Sequence, residues 1–539
     1  MNNLVNNLVN NLVKRSWLLL GCVALLIGCS SAGGGSRVVD LTAPPVGLTV
    51  ASTVASTVGS PPVTTPAPET VAPDTSITTN SAHPDDAPTA VTTPSTASPS
   101  TDPDGIGDPL FPALGNPGID VQHYDIELTF DHAADTLTAV VGMDIRFTET
   151  RREFTLDSVS QEIDSVTVDD HPAQFVKDPQ ELRITPSSPA AAGSTSRVTV
   201  RYHQKANSQT HDSGLPTGWF TTPGGSYVLN EPDGARAWLP SNDHPSDKAT
   251  FRFTIHVAAG VTAVANGGLD SHTSTTAGDT WVWSENRPMA TYLIQLLTGD
   301  YEIVDATGPH GLPLISAVLR QDRTAMQPYL DGMSAQIAFF EGVFGPYPLD
   351  RYGLAITDSA PGLAMETQGR SLFSRTDLDG NVSNSEEAVL AHELAHQWFG
   401  DAVSPARWSD VWLNESLATY GQWLWLDHLG VQPLDVVARQ SLASRPPGIT
   451  ADPSVAEMFG FSVYEGGAVA VQALRLTIGD DAFFTLLRSW VSDFNGTSRT
   501  TGNFIALAEK TSGKDLTGFF HDWIYSTRPP TSLPKAVPG

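Results

Sequence analysis

Cysteine is scarce in this chain: of 539 residues only Cys22 and Cys29 carry a thiol. Both lie at the N-terminal end, so no disulfide is available to brace the body of the protein. A chain this long can instead be held by its own apolar core. Basic residues are also few. Against 59 Asp and Glu there are 30 Lys and Arg, a net charge of −29 that excludes nucleic acid as a partner. The acidic balance gives a soluble exterior and only a modest pull on cationic peptide termini, since salt screens charge beyond about 8 Å. The apolar run from Trp17 to Ile27 is too short to span a bilayer, which takes about 20 residues.

That run follows Lys14-Arg15 and ends in Leu26-Ile27-Gly28-Cys29, which resembles a bacterial lipobox. Residues 1–29 are therefore expected to be a lipoprotein signal peptide, cleaved before Cys29 with a lipid added to that cysteine. The protein would then sit on the extracytoplasmic face of the cell membrane. The tripled Asn-Asn-Leu-Val over residues 2–13 reads as a low-complexity extension. Residues 30–114 are dominated by Thr, Ser, Pro, Ala and Gly and cannot bury enough surface to offset their ordering entropy, so they are expected to form a disordered tether. A flexible chain of that length spans roughly 50 Å.

From Gly115 the pattern changes. Tyr124, Ile126, Leu128 and Phe130 alternate with polar residues, and Val198, Val200, Tyr202 and then Phe251, Phe253, Ile255, Val257 repeat the period of two. An antiparallel β-rich domain is expected over 115–308. Strand-like pieces at 314–320 and 352–357 then flank a helix over 324–344, and helical stretches recur near 464–477, 480–492 and 502–510. The expected fold is α+β and multidomain, with a mostly helical second domain over 309–530 and a tail at 531–539.

The chemistry is concentrated in His392-Glu393-Leu394-Ala395-His396. Residues four apart on a helix share a face, so the two imidazoles can share one metal ion. Glu393, beside the first ligand, is placed to take a proton from water at the metal. Ser383 and Glu386 have capping-box spacing, and Val389, Leu390, Leu394 and Phe399 form an apolar stripe ending at Gly400, which predicts a helix of about four turns. Glu415 opens a second periodic stretch with Leu413, Leu417, Tyr420, Leu424 and Leu426, ending near Gly430. Two antiparallel helices could bring His392, His396 and Glu415 together, the two-His, one-Glu set of an open catalytic zinc site.

These motifs resemble those of the aminopeptidase N-like zinc metallopeptidases, within the gluzincins, over about Gly115 to Ser526. The resemblance implies a thermolysin-like catalytic domain binding one Zn2+. It implies that Glu366, in Leu363-Ala364-Met365-Glu366-Thr367, grips the free amine of a substrate, although Leu363 and Thr367 depart from the usual Gly and Asn. Val463-Tyr464-Glu465-Gly466-Gly467-Ala468 is similar to the family's Tyr-Glu-Lys-Gly-Ala segment, which implies an oxyanion hydrogen bond from Tyr464 and leaves no lysine at Gly466. Leu229-Asn230-Glu231-Pro232 resembles the segment that brings a second amine anchor, here Glu231. Gln422 stands where the family often has a glutamate, and can orient a ligand by hydrogen bonding. His244, in a further family-like run, is expected to be structural.

The expected function is zinc-dependent removal of N-terminal residues from peptides with a free amine, outside the cytoplasm. Two other readings stay open at this level: a peptide-binding lipoprotein that has lost turnover, and a zinc endopeptidase. The second arises because the chain stops soon after Trp523 and Tyr525, where larger relatives continue into a domain that roofs the cleft; a more open site is expected here.

Overall fold

The computed structural model describes residues 105–537 apart from 207, 211–214 and 360–361. The expected signal peptide, Cys29 and residues 30–104 of the expected tether lie outside the described residues. Residues 105–114, assigned to the tether by composition, belong to the fold. Asp108 is the reason: it is buried, one oxygen accepts from the backbone N–H groups of Leu110 and Phe111, and the other meets His244 Nε2 at 3.1 Å and Trp408 N at 2.8 Å. His244 is thus structural, as expected.

Alternation builds the first domain. In the strand Ile119–Asp131, Tyr124, Ile126, Leu128 and Phe130 face the core while Glu127 and Thr129 face solvent. The odd spacing from Val121 to Tyr124 is absorbed by a bulge between Val121 and His123. This strand lies inside an eight-stranded sheet, antiparallel to Thr136–Phe147 but parallel to Lys248–Val257. The parallel pair departs from the all-antiparallel expectation; such pairing needs a long connection, and residues 132–247 provide it. A second, five-stranded sheet includes Gly225–Leu229, which leads directly into Asn230 and Glu231. Asn230 anchors that turn, accepting from Trp238 Nε1 at 3.0 Å and donating to the Ile294 carbonyl at 2.8 Å.

The second domain begins earlier than residue 309. Tyr301–Thr307 pairs with Pro313–Leu319 in a five-stranded mixed sheet whose order continues through Leu354–Thr357 and Ser371–Ser374 to Ala364–Met365. Around it lie helices α1 (Gln327–Phe344), α2 (Asn384–Ala395), α3 (Trp412–His428), α4 (Leu434–Ser444), α5 (Glu465–Ile478), α6 (Asp480–Phe494) and α7 (Thr501–Ser512). The Ser383–Glu386 capping box is formed in both directions and starts α2. The helix ends at Ala395, short of Gly400, because Gln397 N and Trp398 N bond carbonyls three residues back and tighten the last turn. Trp398 then packs edge-on to Phe340, Phe344 and Tyr347. Helices α2 and α3 approach closely where Gly421 faces Ala395: a Cβ on residue 421 would come within 2.8 Å of the alanine methyl.

Buried polar contacts join the two domains. Arg370 donates to the Ala265 carbonyl at 2.8 Å and to Gln295 at 3.0 Å, and lies over the Trp283 ring. Lys248 Nζ donates to the Asp401 carbonyl at 2.6 Å.

Candidate active site

Two helices converge on one point. His392 and His396 lie one turn apart at the end of α2, and Glu415 lies in the first turn of α3. The two Nε2 atoms are 3.0 Å apart, and a Glu415 oxygen lies 3.4 Å from one and 3.5 Å from the other. His396 donates its Nδ1–H to the Phe399 carbonyl at 3.1 Å, and the Gln422 side chain lies near His392, where it favours the charged imidazole. Both imidazoles therefore present Nε2 to the same space, as metal-ligating histidines do.

The electrostatics favour a cation there. Burial opposes charge on Glu415, yet the imidazoles outweigh it and hold the carboxyl at about 2. Burial likewise opposes charge on His396, but Glu415, Glu366 and Glu393 overcome it and push its pKa well up. Two nitrogens and one carboxylate oxygen, all within 4.8 Å, match the donor set and openness of a catalytic zinc site.

Glu393 projects from the same turn of α2 and is buried, with Oε2 unpartnered among the described residues. Burial, aided by Glu366 and Glu415, pushes its carboxyl well above the usual range. Glu366 follows the edge strand Ala364–Met365 and is also buried, with Oε1 unpartnered among the described residues. Gln397 ties that loop to α2, donating to the Glu366 carbonyl at 3.0 Å and accepting from Gly369 N at 2.8 Å. Glu231 arrives from the first domain; it is half-buried as a residue, but its Oε1 is enclosed and unpartnered among the described residues. Carboxylate oxygens of Glu231, Glu366 and Glu415 lie within 4.8 Å of one another. Burial raises both amine-anchor candidates, and the Glu366 charge adds to the effect at Glu231. Such a group of desolvated carboxyls is complementary to a positive group.

Tyr464 stands at the N-terminus of α5, its ring 5.8 Å from that of His392 and parallel within 5°. Burial, reinforced by the nearby Glu415, Glu231 and Glu366 carboxylates, pushes the phenol well above its ordinary value, so its hydroxyl keeps its proton and can donate. The departures at Leu363 and Thr367 are accommodated. Leu363 packs against the core, while Thr367 is buried, accepting from Gln295 at 2.8 Å and donating to the Arg370 carbonyl at 2.5 Å.

All eight candidates in the described residues thus come to one place: His392, Glu393, His396, Glu415, Glu366, Glu231, Tyr464 and Gln422. Sequence reasoning missed Gln397, Ser416, Tyr292 and Asp401. Tyr292, from the first domain, donates to the Gly400 carbonyl at 3.2 Å and accepts from Asn414 Nδ2 at 3.2 Å. Asp401 is fully buried with neither carboxylate oxygen partnered among the described residues, and burial pushes it well up. Gln397 and Ser416 sit beside metal-ligand candidates in the sequence, a signal that could have flagged them. Nothing in the spacing distinguishes Tyr292.

Comparison with known proteins agrees with this geometry. Residues 329–523 match the Peptidase family M1 domain and residues 120–293 the Peptidase M1 N-terminal domain. An M1 zinc metallopeptidase from Deinococcus radiodurans superimposes with a TM-score of 0.71 and 30% identity, covering 80% of this chain and 100% of that one. The chain belongs to peptidase family M1. Another M1 structure from Deinococcus radiodurans, bound to a Tyr-Ser-Ala substrate, is 29% identical over the same share of both chains. A probable aminopeptidase 2 of Sulfurisphaera tokodaii is 27% identical over 75% of this chain and 53% of its own length. The glutamyl aminopeptidase of Bitis rhinoceros is 26% identical over 74% of this chain and 46% of its own. The chain therefore spans about half the length of these two relatives.

Proposed function

We propose that this M1 protein is a zinc-dependent aminopeptidase. The observation that carries the reading is the convergence of the buried Glu231 and Glu366 carboxyls beside the His392, His396 and Glu415 set. His392, His396 and Glu415 hold the zinc, and bound there it supplies Lewis acidity toward the scissile carbonyl and toward water.

The rest is done by the side chains. Glu366 and Glu231 receive the ammonium group of the substrate, which supplies the charge their desolvated carboxyls lack. A blocked amine leaves both unpaired, so binding discriminates against it and residues leave one at a time. Glu393 takes the proton of the attacking water and passes it to the departing amine. Tyr464 donates its hydroxyl to the oxyanion that develops on the carbonyl oxygen. Gln422 and the Phe399 carbonyl hold the two imidazoles in register.

The lipobox sequence supports anchoring through Cys29 on the extracytoplasmic face of the membrane. Among the described residues no helix is long and apolar enough to cross a membrane. Replacement of Cys29 by Ser should release the protein from the membrane fraction. The activity is tested with aminoacyl fluorogenic substrates and their acetyl-blocked counterparts, with and without a chelator. Free-amine substrates should be cleaved, and blocked ones should not; equal cleavage of both, or indifference to the chelator, refutes the assignment.

A further inference from the structure

The position of the Tyr464 hydroxyl is not set by helix geometry. Tyr464 precedes α5 with φ −78° and ψ −90°, outside the helical region, and no side chain caps the helix there. What fixes it reaches across from α3. Ser416, fully buried and next to Glu415, donates its Oγ to the Val463 carbonyl at 2.6 Å. The residues flanking that bond, Glu415 and Tyr464, are both site residues, and the Tyr464 ring lies parallel to that of His392 at 5.8 Å. One hydrogen bond thus ties the peptide that follows Glu415 to the peptide that precedes Tyr464.

The surroundings are built to admit this contact. Gly467 faces Ser416, and a Cβ there would fall 1.7 Å from the serine Oγ, so α5 can come this close to α3 only without a side chain at 467. The segment before Tyr464 is held on its other side by Thr450, which donates to the Ser462 carbonyl at 2.7 Å and accepts from Arg445 at 2.7 Å. Gly466 leaves room for that arginine: a Cβ at 466 would lie 2.9 Å from Arg445 Nε. The chain at 462–463 is thus held from two directions, and the bond nearest the tyrosine comes from the helix that carries the metal ligand.

We propose that Ser416 is a positioning residue for the reaction, fixing the Tyr464 hydroxyl relative to the ligand Glu415 so that it meets the oxyanion. The inference rests on the assignment of Tyr464 as oxyanion donor. Because that hydrogen bond matters only once charge develops on the carbonyl oxygen, its loss lowers kcat and leaves KM nearly unchanged.

The test is a double-mutant cycle on the zinc-loaded enzyme with Ser416→Ala, Tyr464→Phe and both together. A small misplacement of a reacting group costs up to about 100-fold, and Ser416→Ala is expected to lower kcat about 10-fold, with KM within twofold and zinc content unchanged. In the Tyr464→Phe background it should have no further effect. Ser416→Cys keeps the volume, weakens the donor, and should fall between wild type and alanine, which separates the lost bond from a cavity. A Ser416→Ala variant with wild-type kcat, an equal loss in the Tyr464→Phe background, or a loss of bound zinc overturns the proposal while leaving Tyr464 in its role. A Tyr464→Phe enzyme with full kcat overturns both.

Discussion

His396 donates its Nδ1–H to the Phe399 carbonyl at 3.1 Å, and its Nε2 lies 3.0 Å from the Nε2 of His392. A backbone carbonyl beyond the end of α2 therefore leaves the His396 Nε2 facing that of His392. Chelation should abolish activity, and zinc should restore it. Because the ion binds the folded state only, its removal should also lower Tm; at 100-fold excess over Kd, binding contributes about 2.7 kcal/mol. Calorimetry with and without chelator measures this.

Glu393→Gln keeps the shape of the buried side chain but cannot take a proton. We expect kcat to fall by roughly 10²- to 10⁴-fold, the usual worth of general acid–base catalysis, with zinc stoichiometry unchanged by metal analysis.

Glu366→Gln should act differently, through recognition of the amine. Loss of a desolvated charge partner costs about 2–5 kcal/mol, so kcat/KM for free-amine substrates should drop about 100-fold. Glu231→Gln should move in the same direction. Steady-state kinetics on free and acetylated substrates checks both, since the ratio between the two substrates should narrow.

Asp108 tests where the folded body starts. Its replacement by Ala removes acceptors from Leu110 N, Phe111 N, Trp408 N and His244, three of them backbone donors. Leaving buried donors unsatisfied costs about 1–3 kcal/mol each, and we expect a loss of about 2 kcal/mol or more in denaturant unfolding. Stability equal to wild type would return residues 105–114 to the tether.

Glu285 gives a pH signature. It is buried on the strand Gly278–Ala290, accepts from Arg287 N at 2.8 Å, and burial pushes its carboxyl from 4.5 up to about 7. The folded protein thus keeps a proton that the unfolded chain releases. The contribution to stability is full below pH 4.5 and is lost as pH rises through about 7. Each pKa unit is worth about 1.4 kcal/mol. Glu285→Gln should flatten the fall of Tm between about pH 5 and 8, read by thermal melts across that range.

Local patterns account for how much could be read from sequence. The capping box at Ser383 and Glu386, the four-residue spacing of His392 and His396, and the period-two strand around Tyr124 are interactions between near neighbours, and each formed as the spacing implied. What escaped depends on contacts far apart in the chain. The parallel strand pair joins residues more than a hundred positions apart, Asp108 finds Trp408 only in the folded state, and Tyr292 reaches the site from the other domain. The end of α2 at Ala395 was hidden for a different reason: Trp398 and Phe399 leave the helical track to enter an aromatic cluster, although their side chains fit a helical stripe.

Glu231 has an evolutionary consequence. The proposed metal ligands and base come from one domain, while one of the two proposed amine-facing carboxylates is contributed by the other, on a turn held by Asn230 and Trp238. Neither half can be exchanged by recombination without separating two capacities that selection would have to recover together. A chimera bearing a foreign first domain keeps the hydrolytic apparatus but loses part of its ruler for chain ends.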